Sequence, residues 1–91
     1  MAVEVRLPTL LRPSAGGVSS VSAEGETVGE VFDDLTRRYP ALTDQLVDPA
    51  GGLHKFVNVY RNDDDIRYLE ALDTELADGD VVSILPAVAG G

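Results

Sequence analysis

The stretch "DGDVVSILPAVAGG", residues 78–91, decides the fold. Asp78-Gly79 is a turn signal, and Val81, Val82, Ile84 and Leu85 follow it with a single polar break. That apolar density predicts a strand near the middle of a sheet, covered at least partly on both faces. Pro86 then interrupts it, and Ala87, Val88, Ala89, Gly90 and Gly91 bring no functional side chain. The expected division is a domain over residues 1–86 and a flexible C-terminal diglycine tail over 87–91. Small residues at a fraying end explain such a tail in one way. The other explanation is that the terminal carboxylate is itself the reacting group.

A central last strand needs partners on both sides. "AVEVRLP", residues 2–8, alternates Val3, Val5 and Leu7 with Glu4 and Arg6, the pattern of a strand with one buried face. "RPSAGG" reads as a turn, and "VSSVSA", residues 18–23, as a polar edge strand paired back on the first and closed by Gly25. "KFVNVYR", residues 55–61, sets Val57 and Val59 inward and Phe56, Asn58 and Tyr60 outward. "NDDD" reads as a turn and "IRYL" as a short returning strand; Leu72 and Leu76 anchor the connection to the last strand.

Between the second and third strands, "TVGEVFDDLTRRYP" predicts the main helix. Thr27 and Glu30 have capping-box spacing, which satisfies orphan amide donors reciprocally. Val28, Val31, Phe32, Leu35 and Tyr39 share one stripe. Arg37 and Arg38 suit the negative end of the helix dipole, and Pro40 stops the helix. Gly29 either costs about 1 kcal/mol against alanine or permits a close approach to the sheet. "ALTDQLV" adds a short helical turn. The sum is an α+β fold, a mixed sheet of about five strands packed on one main helix.

Ninety-one residues make one small domain, too small to enclose a large active site. The net charge is −9, from 16 acidic and 7 basic residues, of which only Lys55 is lysine. That field disfavours nucleic acid and anionic lipid and favours a partner with a basic docking face. With no cysteine, thiol, disulfide and zinc–cysteine chemistry are excluded, and a cytoplasmic location is expected. No signal peptide and no membrane-spanning run are read from the sequence.

The fragments "LRPSAGG", "GETVGEVFDDL", "VNVYRNDDDIRYL" and "LADGDVVSILPAVAGG" together resemble the ubiquitin-like β-grasp sulfur carriers of the ThiS/MoaD family. The ending "ILPAVAGG" is similar to the CysO-type branch, which supplies sulfur for cysteine synthesis. The resemblance implies a carrier protein, not an enzyme. An E1-like enzyme adenylates Gly91 with ATP, a sulfur donor displaces the adenylate, and the thiocarboxylate passes its sulfur to an acceptor enzyme. It further implies a PLP-dependent cysteine synthase as acceptor and a metalloprotease that releases the product. Thiazole, molybdopterin and thiosugar synthesis are alternative destinations. Two other roles are a ubiquitin-like protein modifier and a permanent small subunit of a larger enzyme.

The residues suit that chemistry. A C-terminal carboxylate, with an ordinary pKa of about 3.5, is ionised at neutral pH and can attack a phosphorus atom. Gly90 and Gly91 lack Cβ and pass a narrow channel. Phe56, Tyr60, Tyr68 and Leu85 form the candidate docking face; scattered surface apolar residues are the plain alternative. Asp63, Asp64 and Asp65 lack the spacing of a calcium loop and read as a solvated turn. His54 stands alone, so no catalytic triad is built on it. No bound cofactor or metal is expected.

Overall fold

A computed structural model of the chain describes residues 2–50, 52–54 and 57–86. Its sheet is built around the last strand. β1 (Ala2–Arg6) and β2 (Ser20–Glu24) pair antiparallel, followed by α1 (Val28–Arg38) and the short α2 (Thr43–Leu46). β3 (Val57–Arg61), β4 (Asp64–Asp65) and β5 (Val81–Pro86) complete the sheet in the order β2-β1-β5-β3-β4. β5 runs parallel to β1 and antiparallel to β3, in the central position that its composition predicts.

The period-2 alternation of the strands and the stripe of α1 meet in one core. Val3, Val5, Val57, Val59, Val82 and Ile84 are buried from the sheet side, and Val28, Val31, Phe32 and Leu35 from α1. Leu42, Leu46, Ile66 and Leu76 close the ends of this layer. Cover on β5 is full on one face and partial on the other, within what its composition predicts: Val82 and Ile84 are buried, Val81 and Ser83 half-buried, and Leu85 and Pro86 exposed. The chain has one main helix, and it packs on one face only.

Local chemistry moves several boundaries. The segment expected as a turn after β1 is a seven-residue 3₁₀ helix, Thr9–Ala15, held by the burial of Leu11 and Ala15. It exits through Gly16 and Gly17, both with positive φ. The expected strand "IRYL" is a 3₁₀ turn, Ile66–Tyr68, because the Asp65 side chain accepts from the Arg67 N–H and caps it. The returning strand is Asp64–Asp65 instead, so half of the expected "NDDD" turn belongs to the sheet.

Thr27 caps α1 as expected, its Oγ1 accepting from the Glu30 N–H at 3.2 Å. Glu30 reaches one residue further back, to the Glu26 N–H at 2.9 Å. The same turn is tied to the connection before β5: the Val28 N–H donates to Thr74 O, and the Leu76 N–H to Glu26 O. Gly29 allows a close approach, though to the connection before β5 and not to the sheet. A Cβ there would sit 3.1 Å from Leu72 O.

Arg37 and Arg38 do more than complement the helix dipole. Both pair with Asp34, at 2.8 and 3.0 Å, and Arg38 also donates to Ser22 O at 2.7 Å. Asp34 in turn accepts from the Glu24 N–H. Two backbone groups of edge strand β2 are thereby occupied by α1, which blunts the edge against pairing with another chain. The Glu24 N–H bond, followed by the charges of Arg38 and Arg37, holds the Asp34 carboxyl below its usual 3.8 despite some desolvation.

A lowered folded-state pKa contributes stability that is present above the unfolded value and lost as pH falls through the folded one. Asp34→Asn should therefore lower the thermal midpoint at neutral pH. Its deficit against the parent should shrink below 3.8, the ordinary carboxyl value. Thermal scans from neutral to acid pH check this; a deficit that stays constant into strong acid contradicts it.

Candidate functional site

The end of β5 is where the fold hands the chain over to its last residues. β1 pairs with β5 only as far as Arg6↔Ser83, whereas β3 continues to Val57↔Pro86. Leu85 and Pro86 thus keep one neighbour and lose the other. Val81 exchanges hydrogen bonds with Asn62, on the β3 side: its N–H donates to Asn62 Oδ1 and its carbonyl accepts from the Asn62 N–H. Strand alternation then turns the missing N–H of Pro86 toward the side that β1 has left. A proline is tolerated in this central strand because no ladder bond is lost there.

Asn62 anchors the other end of the same strand. Its left-handed backbone, φ 54, suits asparagine. Its Nδ2 also donates to Asp80 at 3.2 Å. Asp80 accepts from the Ala77 N–H, which chiefly holds its carboxyl below the ordinary value. β5 is therefore fixed before its first residue as well as along its length.

Of the expected docking residues, Leu85 is 46% exposed and Tyr68 86%. Tyr60 is half-buried, and Phe56 lies outside the described residues. Leu85 stands beside Asn58 and Tyr60 beside Ser83, so both belong to the outward face of adjacent strands. Arg67 reaches across from the 3₁₀ turn, donating to Asn58 Oδ1 at 2.6 Å and to Asp65 at 2.9 Å. That pairing, led by the side-chain bond to Arg67, lowers the Asp65 carboxyl pKa. The expected tail residues Ala87, Val88, Ala89, Gly90 and Gly91 also lie outside the described residues.

Three exposed or cationic residues beside the exit are absent from the expected docking face. Leu10 is 73% exposed on the 3₁₀ segment, and Arg6 and Arg12 stand near it. Consecutive Leu10 and Leu11 could have revealed this, because a tight turn cannot bury both. Among the described residues no group of three or more His, Asp or Glu is arranged to hold a metal. Asp64 and Asp65 lie 3.9 and 2.9 Å from Arg61 and Arg67. The His54 backbone donates to Leu46 O and accepts from the Val57 N–H. No helix among the described residues is long and apolar enough to cross a membrane.

The model of the ThiS family matches residues 5–91. The chain belongs to the ThiS family. It is 54% identical, over the full length of both chains, to the sulfur carrier protein CysO of Mycobacterium tuberculosis. The crystal structure of the Amycolatopsis orientalis BexX/CysO complex contains a chain 48% identical to it, with a TM-score of 0.89 and coverage of 98% and 99%. Small archaeal modifier protein 1 of Haloferax volcanii superposes over the whole of both chains at 31% identity, with a TM-score of 0.84. The chain is accordingly a β-grasp sulfur carrier of the CysO type and is not itself an enzyme.

The alternation at the exit gives a sharp stability contrast in this carrier. Ile84→Ala removes a fully buried side chain from the central strand and should cost about 2–5 kcal/mol. Leu85→Ala, next to it and exposed, should cost less than about 0.5 kcal/mol. Urea unfolding of the two variants measures both; equal losses would contradict the unequal cover of the two faces of β5.

Proposed function

We propose that Gly91 is the site of activation and sulfur loading, and that residues 87–91 are the segment threaded into partner enzymes. The observation that carries this reading is the asymmetric end of β5. A strand held on both sides as far as Ser83 ends in exposed Leu85 and Pro86, five residues before Gly91. Five extended residues span at most about 17 Å, enough to reach a neighbouring protein's active site.

The chemistry runs through the chain end. A Gly91 carboxylate oxygen attacks the α-phosphorus of ATP in an E1-like partner, and pyrophosphate leaves. A sulfur nucleophile from a donor then attacks the acyl carbon, and AMP leaves with the electron pair of the broken C–O bond. With hydrosulfide as that nucleophile, loss of its proton leaves the thiocarboxylate, and no oxidant or reductant is needed. This chain supplies the reacting carboxylate; the partner supplies positioning and charge stabilisation. No internal cysteine competes for the activated acyl group.

The acceptor in this reading is a PLP-dependent cysteine synthase, with a metalloprotease releasing the product, all in the cytoplasm. The 54% identity to a CysO protein supports that choice of pathway over thiazole or molybdopterin synthesis. The complex of a relative with BexX supports a carrier that docks on a second protein. On this side of the molecule Leu85, Tyr60 and Tyr68, together with Phe56, are the proposed docking residues.

A second reading, attachment of Gly91 to lysines of other proteins, draws on the likeness to small archaeal modifier protein 1. Isopeptide-linked adducts in a lysate distinguish it, and Lys55 as the single lysine limits chain building on side chains.

Incubation with the activating enzyme, ATP and a sulfide source should raise the intact mass by the replacement of one oxygen with sulfur. Removal of Gly91 should abolish the increase. A mass shift that survives the deletion would refute Gly91 as the loaded residue.

A further inference from the structure

A second surface flanks the exit, on the side that β1 vacates. After Arg6 the chain leaves the sheet and crosses beside the end of β5 as the 3₁₀ segment Thr9–Ala15. An open groove runs between them, lined among others by Arg6, Leu10, Arg12, Ser83, Leu85 and Pro86. Among the described residues its apolar part is left open: Leu10 is 73% and Leu85 46% exposed.

The charge of the groove is opposite to that of the chain. None of its lining residues is acidic, and two of them are arginine, in a protein with 16 acidic and 7 basic residues. Arg6 pairs with Glu4 at 2.8 Å. Arg12 donates through Nε to Leu7 O at 3.2 Å and has no ion pair among the described residues. Arg12 is half-buried, and of the five N–H donors of its guanidinium one has a partner among the described residues.

We propose that this groove is a docking surface for the enzyme that acts on Gly91, and that the enzyme fills it with an apolar side chain flanked by carboxylates. The inference rests on the carrier reading, since it names the chemistry of that same partner. It also sets two electrostatic demands apart. The overall charge of −9 draws in a partner whose surface is broadly basic. The groove requires acidic groups within that surface, and those fix the orientation of docking.

The two demands predict opposite responses to Arg12→Glu. If only the overall field matters, the added negative charge strengthens binding to a basic partner. If carboxylates occupy the groove, it weakens binding. The measurement is ATP–pyrophosphate exchange by the E1-like enzyme, with the full chain as varied substrate. Arg12→Glu should raise KM about tenfold with kcat at saturation unchanged, as expected for a rim charge set against its partner. Leu10→Ser should raise KM in the same direction. Arg37→Glu makes the same change in net charge on α1, outside the groove, and should leave KM unchanged or lower.

Thermal midpoints report whether each variant is folded; should Arg12→Glu lose stability, Leu10→Ser, at a side chain open to solvent, carries the test. An unchanged or lowered KM for Arg12→Glu overturns the inference, as does an equal rise for Arg37→Glu. In those cases the parent chain is still activated and the carrier reading stands. Absence of exchange with the parent chain instead withdraws the carrier reading, and this inference with it.

Discussion

The register that sets β5 between β1 and β3 is the constraint on which the rest of the molecule depends. It buries Val82 and Ile84 in the core shared with α1 and places the last described residues on the central strand of the sheet. A terminal strand at a sheet edge would fray into whatever follows it. A central one ends abruptly, and here the end is staggered: β3 accompanies it to Pro86 and β1 only to Ser83. That stagger turns an ordinary strand terminus into an exit with two dissimilar sides. One carries Asn58 and Tyr60, the other Leu10, Arg6 and Arg12, and Leu85 stands between them.

The supporting interactions serve the same placement. Asn62 and Asp80 pin the start of β5, so the strand cannot slide without breaking three polar bonds. A slip of one residue would also exchange Val82 and Ile84 for Ser83 and Leu85 in the core. At the far edge, the cluster of Asp34 with Arg37 and Arg38 occupies backbone groups of β2. A sheet with a blunted edge and a fixed centre presents its exit as its most available feature. For a chain without catalytic side chains of its own, that presentation is the contribution the fold makes to sulfur transfer.

Much of this was legible in the sequence, for reasons that differ by element. The Thr27–Glu30 spacing and the stripe from Val28 to Leu35 specify α1 through local rules, and the structure agrees. The density of Val81, Val82, Ile84 and Leu85 specifies the central place of β5, because neighbours on both sides demand strong β-formers. The same density implies some cover on both faces; one helix of 11 residues fully protects one, and Val81 and Ser83 on the other are half-buried. The turn at Ile66–Tyr68 escaped because alternation over four residues cannot outweigh an aspartate cap. The pair Leu10 and Leu11 offered a local hint that one of them is exposed, but the groove beside Leu10 depends on where β1 ends relative to β5, a tertiary register no local pattern contains. Gly29 signalled a close approach, but only the packed structure identifies the Leu72 carbonyl as its neighbour.

The central claim is that the exit stands on a rigid root whose stability is that of the whole domain. Native-state hydrogen exchange tests it directly by comparing the amides of β5 with those of β2 and β4 at increasing denaturant. The account predicts that the amides of Val82, Ser83 and Ile84 exchange only through global unfolding, and keep that protection when Gly90 and Gly91 are removed. Exchange of these amides through a local opening well below the global free energy would contradict it.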